Sequence, residues 1–597
     1  MPGQCLNNRT AESRDLPVVV LKFGGSVLRN QADITRVVHE VYRWVRRGKR
    51  VVAVVSALEG TTDALIAQAR ACADSPDSLH AGAYATLLAT GEQTSAALLG
   101  LALDRAGVPV EVLDAASVSL RTSGTIVDGF PESIDATRIL VTLSRVPVIV
   151  LPGFIGRDAE GRTTLLGRGG SDLTALFVAE RLIAAGASET RCRLVKDVDG
   201  LYEFDPANGT DGERPRRFTH LHWDRALALD GGIVQHKAVR YAKEKGLSFE
   251  VGAALEDRAT LVANTSESLD AAPGSDRTHR TRVTLLGCGT VGLGVYQHLI
   301  ALPDLFDVVA VAVRDIGKAV ASGVEPRLLT TDALDATDTD CDLVIETIGG
   351  VEIARHAIER ALRAGKDVVT ANKAVIATHG DELRAIAAST GTTLRYSAAV
   401  GGATPALEAL AHAAELGDIV EIAGILNGTT NFVLGRVGEG ESFSEAVRRA
   451  QAAGFAEQDP SRDLDGRDAG DKLCVLAQEA WGVALDPSTI EREPISQESI
   501  GQSIKRRNAG HVIRHVAAVA RASDGAISAE VRIRHVDANE PLGRVEREWN
   551  AVTVRIATGE THTVFGRGAG RWPTAEAVLA DVLEHATASR CPVSVTS

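Results

Sequence analysis

A glycine-rich turn lies near the middle of the chain, in the stretch VTLLGCGTVGLGVYQHLI at residues 283–300. An apolar run precedes the glycines Gly287, Gly289 and Gly292, and residues with helical spacing follow them. A strand, a tight glycine turn and the start of a helix form the phosphate-binding corner of a dinucleotide-binding domain. Because such a domain normally begins with this corner, the long segment before it must form a separate unit.

The composition limits the partners that the chain can bind. Its 597 residues are enough for about three to five structural units. A content of 45% hydrophobic and 24% charged residues is typical of a soluble globular protein. A formal net charge of −14 argues against a nucleic-acid partner and an anionic membrane surface, since both attract basic faces. No apolar run approaches the length of a membrane span, and the polar opening MPGQCLNNRTAESRDLP lacks a secretory core.

The cysteines indicate a reducing compartment. There are seven, with neither a CxxC pair nor a neighbouring histidine cluster: Cys5, Cys72, Cys192, Cys288, Cys341, Cys474 and Cys591. Scattered cysteines are typical of reduced thiols and not of a disulfide frame or a zinc site. We therefore expect a cytoplasmic protein that acts on small molecules.

The order of apolar runs predicts an α/β fold. Between residues 17 and 265, five runs have the character of buried strands, at 18–23, 50–57, 109–115, 146–154 and 193–198. Segments such as 94–107 and 172–186 carry apolar residues at helical spacing between them. This alternation predicts a mostly parallel sheet covered on both faces. After a polar, turn-rich stretch, strands are again predicted at 307–314, 342–347 and 367–372, and from about residue 405 the alternation becomes less regular.

One charged segment of the second half is suited to an amino-acid substrate. GFAEQDPSRDLDGRDAGDKL (454–473) contains Glu457, Asp463, Asp465, Asp468 and Lys472. Asp468 and Lys472 are four residues apart on a predicted helix and therefore share a face. A solvated surface ion pair is the plain alternative. Five such charges in one Gly- and Pro-punctuated segment favour a clamp for a zwitterion.

Residues 281–597 resemble the homoserine dehydrogenase family. The resemblance rests on the 454–473 segment, VIETIGG (344–350), TANKAVIA (370–377), ILNGTTNFVL (425–434) and FGRGAGRWPTAEAVLAD (565–581). It implies that Glu457, Asp463, Asp468 and Lys472 hold the substrate and that Lys373 lies beside the reacting carbonyl. Hydride reduction places negative charge on the carbonyl oxygen, so Lys373, and after it Lys472, are the candidates to stabilise or protonate that oxygen.

The resemblance also implies the cofactor contacts. They are Gly287, Gly289, Thr290, Val291, Gly292, Arg314, Thr347, Lys373 and Gly568. Arg314, at the end of the second strand, favours NADP because an arginine can meet a 2′-phosphate, whereas Asp315 leaves NAD open. Ser397 stands where the family usually has a glutamate that helps to bind a monovalent cation, so the metal remains unassigned.

The first half carries residues suited to phosphoryl transfer. In KFGGSVL (22–28), Gly24 and Gly25 leave backbone N–H groups bare for phosphate oxygens, and Lys22 adds a positive charge. Glu92 and Arg168 suit the ammonium and carboxylate of an amino acid. The hydroxyl donors are Ser56 and Thr62. Asp172 opens a predicted helix, where it orients magnesium or a lysine, or is an ordinary N-cap.

Residues 17–265 resemble aspartate kinases of the amino acid kinase family. Further motifs are VVSALEGTTD (54–63), TGEQTSAALL (90–99), LPGFIGRD (151–158), TTLLGRGGSDLTA (163–175) and KDVDGLYEFDP (196–206). The resemblance implies an ATP site with Mg²⁺ made by Lys22, Gly24, Gly25, Ser26, Lys196, Asp197 and Tyr202. Three departures leave the activity open: KFGGSVL lacks one hydroxyl of the family's motif, and Ala207 and Ile233 stand where the family has cations. Lys196 or Lys237 are candidates to compensate.

Together the resemblances imply an N-terminal three-layer αβα sandwich, followed by a Rossmann dinucleotide-binding domain and an α+β substrate and dimerisation domain. The expected division is 1–16 polar tail, 17–265 kinase-like domain, 266–280 linker, 281–405 nucleotide domain, 406–560 substrate and dimerisation domain, and 561–597 a segment returning to the nucleotide domain. The linker leaves no room for a regulatory ACT region. A homodimer or higher homo-oligomer is implied.

The expected function has two halves. The first phosphorylates L-aspartate with ATP, and the second reduces L-aspartate 4-semialdehyde to L-homoserine with NADPH. Two alternatives stay open: a dehydrogenase that carries an inactive kinase-like scaffold or sensing domain, and a kinase for another acyl substrate.

Overall fold

The computed structural model describes residues 17–72, 79–204, 215–229, 231–270, 280–506 and 510–590. The predicted polar tail, most of the predicted linker and Ala207 lie outside these residues. The chain divides into two compact units. One is built from the chain up to His279, apart from Arg46–Gly48 and Arg105–Val108, and the other from those two short segments and the chain from Arg280 onward.

The first unit is built on a nine-stranded, mostly parallel sheet. In spatial order its strands are Ser268–Leu269, Phe218–His222, Thr260–Ala263, Phe249–Ala253, Arg191–Lys196, Val18–Phe23, Arg50–Val55, Val148–Pro152 and Val110–Val112. All six residues of Val18–Phe23 are buried, because helices cover both faces of a parallel sheet. In register, Lys22 lies level with Val54 on one neighbour and Leu194 on the other.

The helices of the first unit connect these strands. They are Ile34–Arg46, Thr61–Ala71, Ala81–Arg105, Ala136–Leu143, Gly170–Ala184, Trp223–Ala228 and His236–Lys245, with a 3₁₀ turn at Gln31–Asp33. A second, four-stranded sheet lies in the order Gly129–Ser133, Arg121–Gly124, Ile155–Arg157 and Thr163–Leu165. The predicted α/β layering of this half is confirmed.

The second unit begins with a six-stranded parallel sheet. Its order is Leu329–Thr330, Phe306–Ala312, Thr281–Leu286, Leu343–Glu346, Asp367–Thr370 and Leu394–Arg395. The order reverses beside the first strand, and ligands of open α/β sheets bind at such a switch point, beyond the carboxyl ends of the strands. The helices between the strands are Thr290–Ile300, Ile316–Ala321, Ala333–Asp338, Glu352–Arg363 and Lys373–Thr390, with a 3₁₀ turn at Pro326–Leu328.

A mainly antiparallel sheet with helices completes the second unit. Its strand order is Glu491–Arg492, Ile527–Asp537, His511–Arg521, Ile419–Ile425, Trp549–Ile556 and Thr561–Arg567. The helices are Ser397–Gly401, Ala406–Leu416, Gly428–Gly438, Phe443–Ala452, Ser461–Leu464, Arg467–Trp481, Gln497–Arg506 and Arg571–Arg590, with a 3₁₀ turn at Pro487–Thr489. The last helix packs on the first helix of the nucleotide fold, where Arg571 Nη2 donates to Gln297 Oε1 at 2.7 Å. Among the described helices, none has the length and apolar character needed to cross a bilayer.

Candidate active sites

The glycines of the mid-chain turn have different structural roles. Gly287 has φ +92°, and a Cβ there would lie 2.7 Å from the carbonyl oxygen of Thr347. A Cβ on Gly292 would lie 2.0 Å from the carbonyl oxygen of Gly287, so the turn closes only when both are glycine. No atom of the residues that the structure describes lies within 4 Å of a Cβ built on Gly289. This open space at the start of the helix Thr290–Ile300 suits a phosphate, because the N–H groups of a helix's first turn attract anions.

The surroundings of this turn place the other predicted cofactor residues. Thr347 donates its hydroxyl to the Gly287 carbonyl at 2.8 Å and so joins the turn to the next strand end. Thr290 is the first residue of the helix and is exposed, and Val291 is half-buried. A Cβ on Gly568 would lie 1.8 Å from Asn550 Nδ2, so Gly568 is packed against that amide.

Arg314 and Asp315 are both exposed but are engaged differently. The carboxylate of Asp315 accepts from the Lys318 N–H at 2.9 Å and caps the helix Ile316–Ala321. Arg314 lies two residues after the end of the strand Phe306–Ala312 and is solvent-exposed. A carboxylate that is used as an N-cap has less freedom to bind a ribose hydroxyl.

Glu346, which is not among the residues predicted from the sequence, is an acid with no exposed surface at the end of the strand Leu343–Glu346. Its carboxylate accepts from the Ile348 N–H at 2.7 Å and from the Thr370 hydroxyl at 2.5 Å. Burial raises the pKa of Glu346, and these donors oppose that rise. Asn372 completes the connection: it donates to the Gly350 carbonyl at 2.7 Å and caps the helix that begins with Lys373. An acid at the end of an apolar strand, inside VIETIGG, was the available signal.

Lys373, Asp468 and Lys472 form one ion-paired cluster. Lys373 Nζ contacts Asp468 Oδ1, and Lys472 Nζ lies 3.0 Å from Asp468 Oδ2. Burial disfavours the charged carboxylate, but the positive charges of Lys472 and Lys373 outweigh burial and hold the pKa of Asp468 well below its ordinary value. Since Lys373 follows the strand Asp367–Thr370, the cluster lies at the carboxyl end of the nucleotide-binding sheet.

Asn427 and Asp463 extend this cluster. Asn427 Nδ2 donates to Asp463 Oδ1 at 2.7 Å and to Asp468 Oδ2 at 3.0 Å. Lys472 also donates to the Leu426 carbonyl at 2.7 Å. Burial raises the pKa of Asp463, and the negative charge of Asp468 adds to that rise.

Two of the five predicted charges lie elsewhere. Glu457 is exposed, and its backbone carbonyl accepts from Gln451 Nε2 at 3.2 Å. Asp465 pairs with Arg467 at 2.6 Å, at the start of the helix Arg467–Trp481. Among the described residues, the structure therefore brings Asp463, Asp468 and Lys472 together and leaves Glu457 and Asp465 outside their hydrogen-bonded group.

Ser397 is buried at the start of the helix Ser397–Gly401. Its hydroxyl donates to Glu408 Oε1, and its N–H donates to Asp581 Oδ2 at 3.1 Å. The serine at the position that the resemblance associates with a cation is thus already bonded to a carboxylate, which does not fit a free metal ligand.

In the first unit, Asp172 is paired with two lysines. Lys22 Nζ lies 2.7 Å from Asp172 Oδ1, and Lys196 Nζ lies 3.1 Å from Asp172 Oδ2. Burial opposes ionisation of Asp172, but the charges of Lys22 and Lys196 lower its pKa to about 2. Burial lowers the pKa of Lys22 to about 8, against the attraction of Asp172.

The glycine turn after the strand Val18–Phe23 lies beside Lys22. A Cβ on Gly24 would lie 2.8 Å from Lys22 Nζ, so the ammonium rests directly over bare backbone. Gly25 is half-buried and Ser26 is exposed. The turn continues with the Leu28 N–H donating to the Gly24 carbonyl at 2.9 Å. A lysine above a glycine turn is suited to phosphate oxygens.

Glu92 is the predicted substrate residue with the most distinctive environment. It is 4% exposed, and burial raises its pKa to about 7. Its Oε2 has no hydrogen-bond partner among the described residues. Ser56 follows the strand Arg50–Val55, and its N–H donates to the Phe23 carbonyl at 3.0 Å. Thr62 is half-buried near the start of the helix Thr61–Ala71, and Arg168 is exposed.

The remaining predicted nucleotide residues are only partly free for a ligand. Tyr202 donates its hydroxyl to Asp199 Oδ1 at 2.6 Å, and burial raises its pKa to about 12. Asp197 is exposed at the end of the strand Arg191–Lys196. Lys237, a candidate compensating cation, donates to Asp128 Oδ1 and the Leu166 carbonyl, both at 2.7 Å.

Ile233 packs against the hydrophobic core of the first unit. Ile233 therefore makes an apolar contact at a position where the resemblance predicts a cation. Together with the engaged ammonium of Lys237, this leaves Lys22 and Lys196 as the buried cations of the candidate phosphate site.

The second unit thus has the architecture of an NAD(P)-binding oxidoreductase, with a lysine–aspartate–lysine cluster at the carboxyl edge of its Rossmann sheet. Family models match three consecutive segments: the amino acid kinase family at 17–249, the homoserine dehydrogenase NAD-binding domain at 287–397, and homoserine dehydrogenase at 405–583. The chain belongs to the homoserine dehydrogenase family and carries an amino acid kinase domain ahead of it, the order of an aspartokinase–homoserine dehydrogenase fusion.

Two sequence relatives support the family assignment. The homoserine dehydrogenase of Corynebacterium glutamicum is 36% identical over 325 residues, which are 52% of this chain and 73% of that protein. The homoserine dehydrogenase of Synechocystis sp. is 38% identical over 315 residues, 51% of this chain and 72% of that protein. A crystal structure of a homoserine dehydrogenase from Thiobacillus denitrificans is 33% identical, covers 52% of this chain and 74% of that one, and superposes with a TM-score of 0.47.

Proposed function

We propose that the second unit reduces L-aspartate 4-semialdehyde to L-homoserine. The observation that carries this proposal is the pair of lysine ammonium groups on Asp468, at the carboxyl edge of a dinucleotide-binding sheet. Reduction of an aldehyde needs positive charge where the alkoxide oxygen develops. A bound nicotinamide cofactor would supply the hydride, and the open space above Gly289 would take its phosphates.

The two lysines have different proposed roles. The Lys373 side chain is 26% exposed, whereas that of Lys472 is 9% exposed and also bonds the Leu426 carbonyl. Lys373 therefore has the freedom to donate a proton to the carbonyl oxygen, and Lys472 fixes the substrate pocket. Asp463 and Asp468 are the carboxylates that would attract the substrate ammonium, with Glu457 proposed beside them from the family resemblance alone.

We propose NADPH as the cofactor, with NADH as the weaker alternative. The support is the different engagement of the two residues after the second strand: Asp315 caps a helix, and Arg314 is exposed. An exposed guanidinium can bind a 2′-phosphate, whereas a capping carboxylate is a poor ribose partner. Arg314→Ala is expected to raise the KM for NADPH about tenfold and to leave the KM for NADH nearly unchanged. Equal effects on both cofactors would contradict this choice.

For the first unit we propose phosphorylation of the 4-carboxylate of L-aspartate by MgATP. The supporting observation is the buried Glu92 carboxylate with an unpartnered oxygen, which suits a substrate ammonium. Lys22 and Lys196 would face the polyphosphate, and Asp172 would hold both lysines in place. Since each oxygen of Asp172 already accepts from an ammonium, we assign it to orienting the lysines and not to binding Mg²⁺.

A hydroxamate trap tests the kinase proposal in the full-length chain. Hydroxylamine captures an acyl phosphate, so aspartate with MgATP is expected to give a signal that Lys22→Ala abolishes. Lys245→Ala, at the end of the helix His236–Lys245, is the matched control and is expected to behave as wild type. In the same preparations, homoserine oxidation is expected to survive Lys22→Ala and to be lost in Lys373→Ala.

The second candidate for the first unit is a kinase-shaped scaffold or sensing domain. The observation that favours it is the core-packed Ile233 together with the engaged ammonium of Lys237. If the wild-type chain gives no hydroxamate signal while the same preparation still oxidises homoserine, the scaffold or sensing domain is the correct candidate. Thermal protection by MgATP would then separate a nucleotide-binding scaffold from an inert one.

The remaining assignments are proposals of the same kind. We propose that residues 17–265 carry phosphoryl transfer and 281–405 the nicotinamide site, with 1–16 as a polar tail and 266–280 as a linker. Residues 406–560 would carry the substrate site and the pairing surface of a homodimer or higher homo-oligomer. In the segment 561–597, the strand Thr561–Arg567 extends the antiparallel sheet, and the helix Arg571–Arg590 returns to the nucleotide domain. A cytoplasmic location is proposed from the scattered cysteines.

A further inference from the structure

One dipeptide turn fixes three charged groups of the dehydrogenase cluster. Leu426 and Asn427 connect the strand Ile419–Ile425 to the helix Gly428–Gly438. The carbonyl of Leu426 accepts from Lys472 Nζ at 2.7 Å. The side chain of Asn427, which is 6% exposed, contacts both Asp463 and Asp468.

Every hydrogen-bonding group of the Asn427 amide is used. Its Oδ1 accepts from the Thr430 N–H at 2.9 Å and caps the helix Gly428–Gly438. Its two Nδ2 hydrogens go to Asp463 Oδ1 and Asp468 Oδ2, at 2.7 and 3.0 Å. Because an amide offers two hydrogens in a fixed plane, it can hold two carboxylates at a set separation.

The two carboxylate oxygens of Asp468 have different partners. One oxygen, Oδ1, faces Lys373, whereas Oδ2 is shared between Lys472 and Asn427. A rotation of the carboxylate would move both lysines. Asn427 therefore determines where the ammonium of Lys373 stands without touching it.

We propose that Asn427 is a positioning residue of the reductase site, which separates Asp463 from Asp468 and thereby places Lys373 against the substrate carbonyl. The inference rests on the proposed reduction of aspartate 4-semialdehyde. It adds a neutral amide to a site whose recognised members are all charged.

The charged groups around Asn427 come from three elements. Asp463 lies in the helix Ser461–Leu464, Asp468 and Lys472 in the helix Arg467–Trp481, and Lys373 in the helix Lys373–Thr390. From the strand His511–Arg521, His515 faces the turn at Gly466; burial lowers the pKa of His515 to about 4, so it stays neutral at ordinary pH. Removing the Asn427 amide would remove the group that bonds both Asp463 and Asp468 and holds them apart. The two carboxylates would then be free to shift relative to Lys373 and Lys472.

The test is Asn427→Asp in the full-length chain, measured by homoserine oxidation. The aspartate keeps an oxygen for the Thr430 N–H but replaces the two donated hydrogens by a third carboxylate. We expect kcat/KM to fall about 100-fold, the scale of a misplaced catalytic group. We also expect the acid limb of its pH profile to move up by about one pH unit, because the new negative charge lies against Asp463, whose pKa burial and Asp468 already raise. The Kd of NADPH is expected to stay as in wild type.

Two further variants make the result decisive. Asn30→Asp is the matched control, because Asn30 also caps a helical turn through its side chain, and it is expected to leave the rate and the profile unchanged. Asn427→Ser keeps an oxygen that can cap the helix and adds no charge, but its single short hydroxyl cannot donate to both carboxylates. We expect a rate loss with a smaller displacement of the acid limb. If Asn427→Asp does not fold, Asn427→Ser tests the proposal by the same two measurements, the rate and the acid limb of the pH profile.

The outcomes separate the inference from the function on which it rests. A wild-type chain that does not oxidise homoserine refutes the proposed function itself. An active wild type with variants that keep its rate, or that lose rate with the acid limb unmoved, refutes the role of Asn427.

Discussion

Glu346 shows how a single buried acid can organise two functional loops. Its carboxylate accepts from the Ile348 N–H and the Thr370 hydroxyl, so only acceptors belong at its position. Glu346→Gln keeps one acceptor oxygen for the Ile348 N–H but turns an amide N–H₂ toward Thr370, so the Thr370 hydroxyl loses the carboxylate oxygen to which it donates. We expect the free energy of unfolding to fall by about 1–3 kcal/mol, the cost of an unsatisfied buried group, and the Kd of NADPH to rise.

Urea unfolding and a fluorescence titration with NADPH measure these two effects. Glu352→Gln is the control, since Glu352 is an exposed acid in the first turn of the next helix and should tolerate the change. A Glu346→Gln protein with wild-type stability and cofactor affinity would show that the carboxylate is dispensable.

Glu92 gives a stability that depends on pH. Burial raises its pKa from the ordinary 4.5 to about 7, so the folded state holds a proton that the unfolded chain has lost between these values. The raised pKa of Glu92 therefore contributes to the free energy of unfolding in full below about pH 4.5, and this contribution is lost as the pH rises through about 7. Glu92→Gln does not titrate, so at pH 8 it should be more stable than wild type, by on the order of 3 kcal/mol.

Thermal or urea unfolding at pH 5 and pH 8 makes this comparison. Glu59→Gln, which changes an exposed carboxylate, should follow the wild-type curve at both values. A wild type whose stability relative to Glu92→Gln does not change with pH would contradict the burial argument. The variant should also lose the hydroxamate signal, because the substrate ammonium loses its counter-charge.

For single residues, the sequence predicted which residues belong to the site better than it predicted which of them contact one another. The charged segment 454–473 pointed to Asp468 and Lys472 because they share a helix face. Their third partner, Lys373, lies 95 residues earlier in the chain, and no local pattern could join it to them. Asn427 and Glu346 were missed because a neutral amide and a lone acid at a strand end have no distinctive spacing.

Among the elements, the buried parallel strands were predicted well. VVVLKF and RVVAVV are continuous apolar runs because both faces of the sheet are covered, and the structure has strands at Val18–Phe23 and Arg50–Val55. The four-stranded sheet that contains Arg121–Gly124 and Gly129–Ser133 was not predicted. Those strands are short and partly exposed, so neither length nor apolar content separates them from loops.

The mid-chain glycine turn contains two kinds of glycine, one required by packing and one not. In Gly292→Ala the new methyl would lie 2.0 Å from the Gly287 carbonyl oxygen, so the strand and helix must move apart. In Gly289→Ala the methyl would meet no atom of the described part of the chain within 4 Å, and φ is −76°, so the fold should tolerate the change. We expect Gly292→Ala to lower the melting temperature and Gly289→Ala to leave it unchanged. The latter should still weaken NADPH binding, since the methyl enters the space proposed for phosphate.

Differential scanning fluorimetry without and with NADPH distinguishes the two glycines. Each variant is the other's control, because both replace one glycine of the same turn. If Gly289→Ala binds NADPH as tightly as wild type, the open space is not the phosphate site.

For the whole molecule, the sequence predicted the order of the parts because each part begins with a buried strand followed by a glycine turn, at Gly24 and at Gly287. It could not predict that Arg46–Gly48 and Arg105–Val108 belong to the second compact unit. These short segments begin with the last residues of the helices Ile34–Arg46 and Ala81–Arg105 and continue into turns, and their composition does not distinguish them from the neighbouring sequence. Their assignment depends on contacts between residues far apart in the chain.

The two glycine turns, at Gly24 and at Gly287, predict two independent regions of the chain that a ligand protects from hydrogen exchange, which we call footprints. We expect NADPH to slow amide hydrogen exchange around residues 287–300 and 346–350, and MgATP to slow it around 22–28 and 170–196. At a ligand concentration of about 100 Kd, protection corresponds to about 2.7 kcal/mol, which is close to a 100-fold slower exchange where opening requires ligand release. Lys22→Ala should remove the ATP footprint only, because its ammonium lies over the glycine turn of the first unit. NADPH protection without any ATP protection would identify the first unit as a scaffold and would restrict catalysis to the second.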